Sequence, residues 1–144
     1  KNKTMATTTA QLILTSTDLL SDSLSLSAIS TLTNTGTATG IEHTTGLARA
    51  KVTSTAKGTA SGQITLYTAD DYAAIPYLYI KNLATTAGHK IYIYDDSTSG
   101  DPIQFQLEAG DWAFIPMHGD KTYKAYSPGG NDPLVEWMVL GQDQ

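Results

Sequence analysis

The chain has 144 residues and a mass of 15.4 kDa, enough for one domain with a real core. It contains no cysteine, which excludes disulfides, thiolate metal sites and cysteine nucleophiles. A net charge of −5 argues against nucleic acid and anionic membrane as partners, and only 16% of residues are charged.

The sequence opens Lys1-Asn2-Lys3-Thr4-Met5, which allows Met5 as a native start and offers a sequon at Asn2. No basic segment followed by an apolar run marks a secretory signal. The apolar stretches around Leu12–Leu14 and Leu134–Leu140 are too short to cross a membrane as a helix. Threonine is over-used: 22 Thr and 11 Ser, with the β-branched residue favouring strands. The stretch to about Gly62 is Thr/Ser-rich and nearly free of charge and aromatics, and all eight Tyr, both Trp and both Phe follow it. Each half is too short for a good core of its own, so we expect a single domain over residues 1–144. The first half is expected to supply outer or edge strands and an extended arm, with residues 1–10 as arm or free terminus.

Strand signals then recur in order. Gln11–Ser16 is a short apolar run. Ser23–Thr33 alternates, with Leu24, Leu26 and Ala28 on one face and Ser23, Ser25 and Ser27 on the other. The phase is less clean after Ala28, which predicts a bulge near Ala28–Ser30. Asn34–Gly40 reads as a loop, Leu47–Thr55 as a strand, Ala56–Gly62 as a loop and Gln63–Thr68 as a strand. Tyr77–Lys81 and Lys90–Asp95 are strong strands separated by Asn82–His89. Ile103–Leu107 follows, then a tight turn at Glu108–Asp111, then Trp112–Pro116. Lys121–Ser127, the turn-rich Ser127–Pro133 and Leu134–Leu140 close the chain. Nine or ten short strands at this spacing predict an all-β antiparallel sandwich or barrel. Helical signals are limited to a turn or two at Thr17–Leu20 and Ala69–Ala74.

Chemistry-bearing residues are sparse in pattern. His43, His89 and His118 all fall in predicted loops, outside any H-x-H or H-E-x-x-H spacing. The acidic stretch Asp95–Asp101 has oxygens for Ca²⁺ but not the spacing of a calcium loop, and a solvated turn accounts for it. Glu108, Asp111 and Glu136 are carboxylates without a legible acid–base pairing. Glu136 lies on the face opposite Val135 and Trp137, which in an antiparallel sandwich is solvent or an interface. No nucleophile elbow, phosphate loop or dinucleotide fingerprint is present. We expect no enzyme activity, no catalytic residue, no metal site and no cofactor.

The tyrosines are the most informative feature. In Tyr77-Leu78-Tyr79-Ile80 and Ile91-Tyr92-Ile93-Tyr94 the aromatics point one way and the aliphatics the other. Paired as a hairpin, these strands would gather Tyr77, Tyr79, Tyr92 and Tyr94 into one cross-strand cluster. Such a face suits sheet packing, a glycan platform or a protein interface. Trp112 and Trp137 have neighbours that suggest core positions.

Several stretches resemble small virion proteins of tailed phages, marine ones especially. They are Leu12–Leu19, Ser23–Ser27, Thr44–Arg49, Tyr77–Asn82, Leu107–Pro116 and Val135–Met138, covering most of the chain from about Ala6. Gly110–Pro116 is also similar to the second half of a cupin, without that family's metal-binding H-x-H, which favours a jelly-roll-like sandwich. The resemblance implies a non-enzymatic structural component of the virion. The leading expectation is a capsid decoration or cement protein on the head, bound to the major capsid protein or another virion protein. The alternative is a tail or fibre component touching host glycans. A charge-poor, Thr/Ser-rich chain also suits a homo-oligomer, for instance a trimer. The expected interface is the N-terminal arm, Thr7, Thr8, Thr9, Gln11, Leu12 and Leu14, together with Tyr77, Tyr79, Tyr92 and Tyr94.

Overall fold

The computed structural model describes residues 7–17, 24–33, 43–58, 61–72, 76–96, 100 and 102–141. These form eleven strands and no helix, all paired antiparallel. The candidate helical turn at 17–20 and the loop at 34–40 lie mostly or wholly outside the described residues, as do residues 1–6 of the expected arm.

Strands β1 (Thr7–Ser16) and β2 (Leu24–Thr33) form a hairpin of their own. The others are β3 (His43–Thr44), β4 (Ala48–Lys51), β5 (Ile64–Tyr67), β6 (Tyr77–Asn82), β7 (Ile91–Asp95), β8 (Ile103–Leu107), β9 (Trp112–Pro116), β10 (Tyr123–Tyr126) and β11 (Leu134–Gly141). One sheet has the order β5-β10-β7-β8. The second has β3 and β4 both on one side of β11, then β6 and β9. His43 thus belongs to a short edge strand paired with Gly141, not to a loop as its sequence context suggested.

The two sheets share one core. Leu78 and Ile80 of β6, Ile91 and Ile93 of β7, and Val135 and Val139 of β11 are all fully buried in a single cluster. The period-two alternation is the cause: each strand turns its aliphatic positions to the same side. The expected pairing of β6 with β7 does not occur. β6 is flanked on both sides, by β11 and β9, and β7 by β10 and β8, so neither has a free edge for the other. The chain between them crosses from one sheet to the other, and their aliphatic faces meet across the core instead of side by side.

The hairpin runs without interruption from Thr7 opposite Thr33 to Ser16 opposite Leu24, so the expected bulge near Ala28–Ser30 is absent. Leu32 keeps the even-numbered phase of Leu24, Leu26 and Ala28, and Ile29 alone is out of phase. An apolar residue on the second face of a ribbon needs no register shift.

Gly62 locks a loop against this body. Its carbonyl accepts hydrogen bonds from the backbone N–H of Thr53 (3.0 Å) and Ser54 (2.9 Å) at a φ of +79°. A Cβ there would collide with Thr53 Oγ1 and approach Ser54 N to 2.6 Å. We expect Gly62→Ala to cost about 2–5 kcal/mol, the sum of left-handed strain and the collision. Gly88→Ala serves as the comparison, with a similar φ of +86° and nothing within 4 Å. It should lose only the backbone contribution, about 1–2 kcal/mol. Urea unfolding of both variants checks this; equal losses would refute the collision.

Candidate functional site

The outer face of the β11-β6-β9 sheet is built in rows that follow from the registers. Glu136 lies between Arg49 and Lys81, and Lys81 is opposite Trp112. The next row is Met138, Tyr79 and Phe114, and the next is Leu140, Tyr77 and Pro116. Tyr77 and Phe114 stack with ring centroids 5.6 Å apart, and with Met138 they gather around the buried Leu140. This second apolar layer is on the side of the sheet facing away from the core. Alternation puts it there: the odd positions of β6 and the even positions of β9 and β11 point outward.

A cleft of about 540 Å³ separates this face from the β1–β2 hairpin. Tyr77, Tyr79, Trp112, Phe114, Met138 and Leu140 form the sheet side, and residues 9–12 with Ala28 and Ile29 form the hairpin side. None of the described lining residues carries a charge. Large apolar side chains remain in solvent around it: Trp112 is 54% exposed, and Leu12, Ile13, Leu14, Leu26 and Ile29 are 40–64% exposed.

Charge stands at the rim. Glu136 is only 7% exposed. Arg49 donates to its Oε2 from Nε at 2.6 Å and places Nη2 at 2.5 Å. Tyr79 donates its hydroxyl to Oε1 at 3.1 Å. The Arg49 hydrogen bond holds the Glu136 carboxyl below the usual carboxylate range, against the upward push of burial. Burial and the bond to Glu136 push the Tyr79 phenol up. Both carboxylate oxygens are therefore committed to structural partners.

This pair predicts a pH dependence. Glu136 has a lower pKa folded than unfolded, so its contribution to stability is present above about pH 4.3, the ordinary Glu value. That contribution is lost as pH falls through the depressed folded value. Arg49→Met removes the main cause, and the acid-unfolding midpoint should move to higher pH. Far-UV circular dichroism across an acid titration checks it; an unchanged midpoint would show that Arg49 does not set this carboxyl.

Of the expected interface residues, Thr9, Gln11 and Leu12 come together with Tyr77 and Tyr79 around the cleft. Thr7 and Thr8 begin β1, and Leu14 is exposed further along it. Tyr92 and Tyr94 are not part of this group. They lie on the outer face of the other sheet, where Tyr92 stacks on Tyr126 at 5.5 Å and Tyr94 meets it edge-on at 5.8 Å. Tyr94 is fully buried and donates to Gln63 Oε1 at 2.8 Å. The expected four-tyrosine cluster is thus two pairs on opposite faces, because β6 and β7 belong to different sheets. Trp112, Phe114, Met138 and Leu140 were not anticipated in the site. The pairing of β6 with β9 and β11 selects them, and no local signal announces it.

His118 and Asp120 contact each other in an exposed turn at 2.5 Å, and Asp96 pairs with Lys124 at 2.5 Å. Among the described residues no three His, Asp or Glu side chains converge as a metal site would require. Part of the acidic stretch, residues 97–99 and 101, lies outside the described residues. No known protein family, curated protein or solved structure matches the chain.

Proposed function

We propose that this chain is a non-enzymatic structural protein of a tailed-phage virion, a decoration or cement protein bound to the assembled head. The observation that carries the proposal is the β1–β2 hairpin. Its two strands contain no charged residue, pair with each other and join neither sheet. A free-standing two-stranded ribbon gains little stability alone. Its outer edges, which pair with no other described strand, and its exposed aliphatics suit an arm that completes its contacts on other subunits. A protein that binds only the assembled shell stabilises that shell by mass action, which is what a cement does.

The body supports the same reading as a jelly roll. Strands β4 to β11 divide between the two sheets in the orders β4-β11-β6-β9 and β5-β10-β7-β8, changing sheet at every step except the β7–β8 hairpin. That is the arrangement expected of two Greek keys wound together, a common architecture of capsid proteins. The acidic balance favours a protein partner, the major capsid protein first, over nucleic acid.

One observation favours a second reading, a tail or fibre component that contacts glycans. Trp112 is mostly exposed beside Tyr79 and Phe114, and aromatic faces of this kind stack on sugars.

Immunolabelling of purified particles with an antibody against this chain tests both. Regular label over the head is the expected result. Label confined to the tail would replace the head assignment with the second reading, and absence of the chain from intact and disrupted particles alike would overturn both.

A further inference from the structure

We propose that the charge-free cleft receives the β1–β2 hairpin of a second copy of this chain, so that each copy gives one arm and accepts one. The proposal deepens the virion reading and takes from it the premise that the hairpin is an assembly arm.

The two surfaces match in chemistry. Among the described residues, neither the arm strands nor the cleft lining includes any of the 9 basic or 14 acidic residues of the chain. Copies that each carry a net charge of −5 repel, and contact between them is least opposed through uncharged surface. A basic or acidic partner would leave its charges unpaired in this cleft.

The arm also has more apolar surface than its own body covers. The register sets Leu12 opposite Ala28 and Leu14 opposite Leu26, so these four share one face of the ribbon. Leu12, Leu14 and Leu26 remain 40–46% exposed, although aromatic surface stands across the cleft from the same hairpin. Within one chain the complementary faces are present and do not close on each other.

The area is adequate. Ten residues of strand span about 33 Å, and a two-stranded ribbon is roughly 10 Å wide, so an incoming arm that takes the place of the chain's own hairpin over the sheet buries on the order of 650 Å² counting both surfaces. Two reciprocal arms bury about 1,300 Å², within the range of specific interfaces. Reciprocal exchange between two copies is an isologous contact that satisfies every arm and every cleft, and a head-to-tail ring of three does the same through heterologous contacts of one arm each.

The absence of native cysteine makes the test direct. Leu12→Cys and Trp112→Cys are introduced into separate chains, both at exposed positions. Under mild oxidation a covalent dimer is expected when the two variants are mixed, and not with either alone. Light scattering on the unaltered chain should give two or three times 15.4 kDa. The double variant Leu12→Glu/Leu26→Glu should fall to the single-chain mass and keep the far-UV circular dichroism of the unaltered chain, since both side chains are exposed. A single-chain mass for the unaltered protein at all concentrations would overturn the proposal. So would a covalent dimer of Leu12→Cys alone, which would mean that arms pack on arms. Monomers whose antibody label still covers the head would overturn the copy-to-copy contact and leave the head assignment standing. Multimers without any label on particles would uphold the contact and overturn the head assignment.

Discussion

Asn82→Asp is expected to be among the most damaging single substitutions in the chain, with a loss of about 3 kcal/mol or more at pH 7. Asn82 ends β6 and is fully buried. Its amide Nδ2 donates to the carbonyl of His89 at 2.7 Å and to that of Leu107 at 3.3 Å, and its Oδ1 accepts from the N–H of Ala84 at 3.1 Å. Its backbone exchanges hydrogen bonds with the β8–β9 turn, giving one to Asp111 O at 2.9 Å and taking one from Gly110 N at 3.0 Å. One side chain thereby ties β6 of one sheet to the approach to β7 and the end of β8 in the other. A carboxylate has no proton for the two carbonyls and brings a buried charge against them. The new carboxyl would titrate above its unfolded value in the folded protein. The folded state then binds the extra proton, so the variant should regain stability as pH falls from 7 toward 5. Asn82→Leu lacks this charge and should show no such recovery, although it leaves the same carbonyls unpaired. Urea titrations at several pH values decide between them. A parallel loss in both variants at every pH would show that the charge is not what the site rejects.

Asn82 also marks where the sequence stops being legible. The run Tyr77–Lys81 is readable as a strand because Leu78 and Ile80 alternate with Tyr77, Tyr79 and Lys81. The next residue looks like the start of a loop, since Asn favours turns. What makes it core is the convergence of Leu107 and His89, residues 25 and 7 positions away. Period-two patterning states which side of a strand faces inward and not which strand lies beside it. The inward positions of β6 and β7 therefore follow from local sequence, whereas their partners do not, and the imagined four-tyrosine face divides in two. Trp112 and Trp137 show the same limit. Both have apolar neighbours, but Trp137 packs against the core and Trp112 points to the cleft, because β9 and β11 place them at positions of opposite phase. Glu136 was placed correctly on the outward face by its parity. Its burial was not visible, because Arg49 is 87 residues away.

Leu78→Ala and Tyr79→Ala, adjacent on β6, should separate the two roles of that strand. Leu78 is fully buried among the core residues of both sheets. Truncation to Ala leaves a cavity where neighbours cannot all relax, and the expected cost is about 2–5 kcal/mol. For a domain of this size that is a fall of roughly 5–20 °C in melting temperature. Its effect on assembly should follow only from the unfolded fraction and vanish at low temperature. Tyr79 faces the cleft and spends its hydroxyl on Glu136. Tyr79→Ala should cost less stability than Leu78→Ala, because the side chain removed is only partly buried, yet weaken multimer formation at temperatures where the variant is fully folded. Tyr79→Phe keeps the ring against the cleft and should retain assembly while losing the hydrogen bond. Melting curves and light scattering on the three variants give the comparison. If Leu78→Ala and Tyr79→Ala impair assembly in proportion to their stability losses, the outer face of β6 has no role beyond support of the sheet. If the two measurements part company between adjacent residues, the inward positions hold the fold and the outward positions hold the partner, as the alternation along β6 implies.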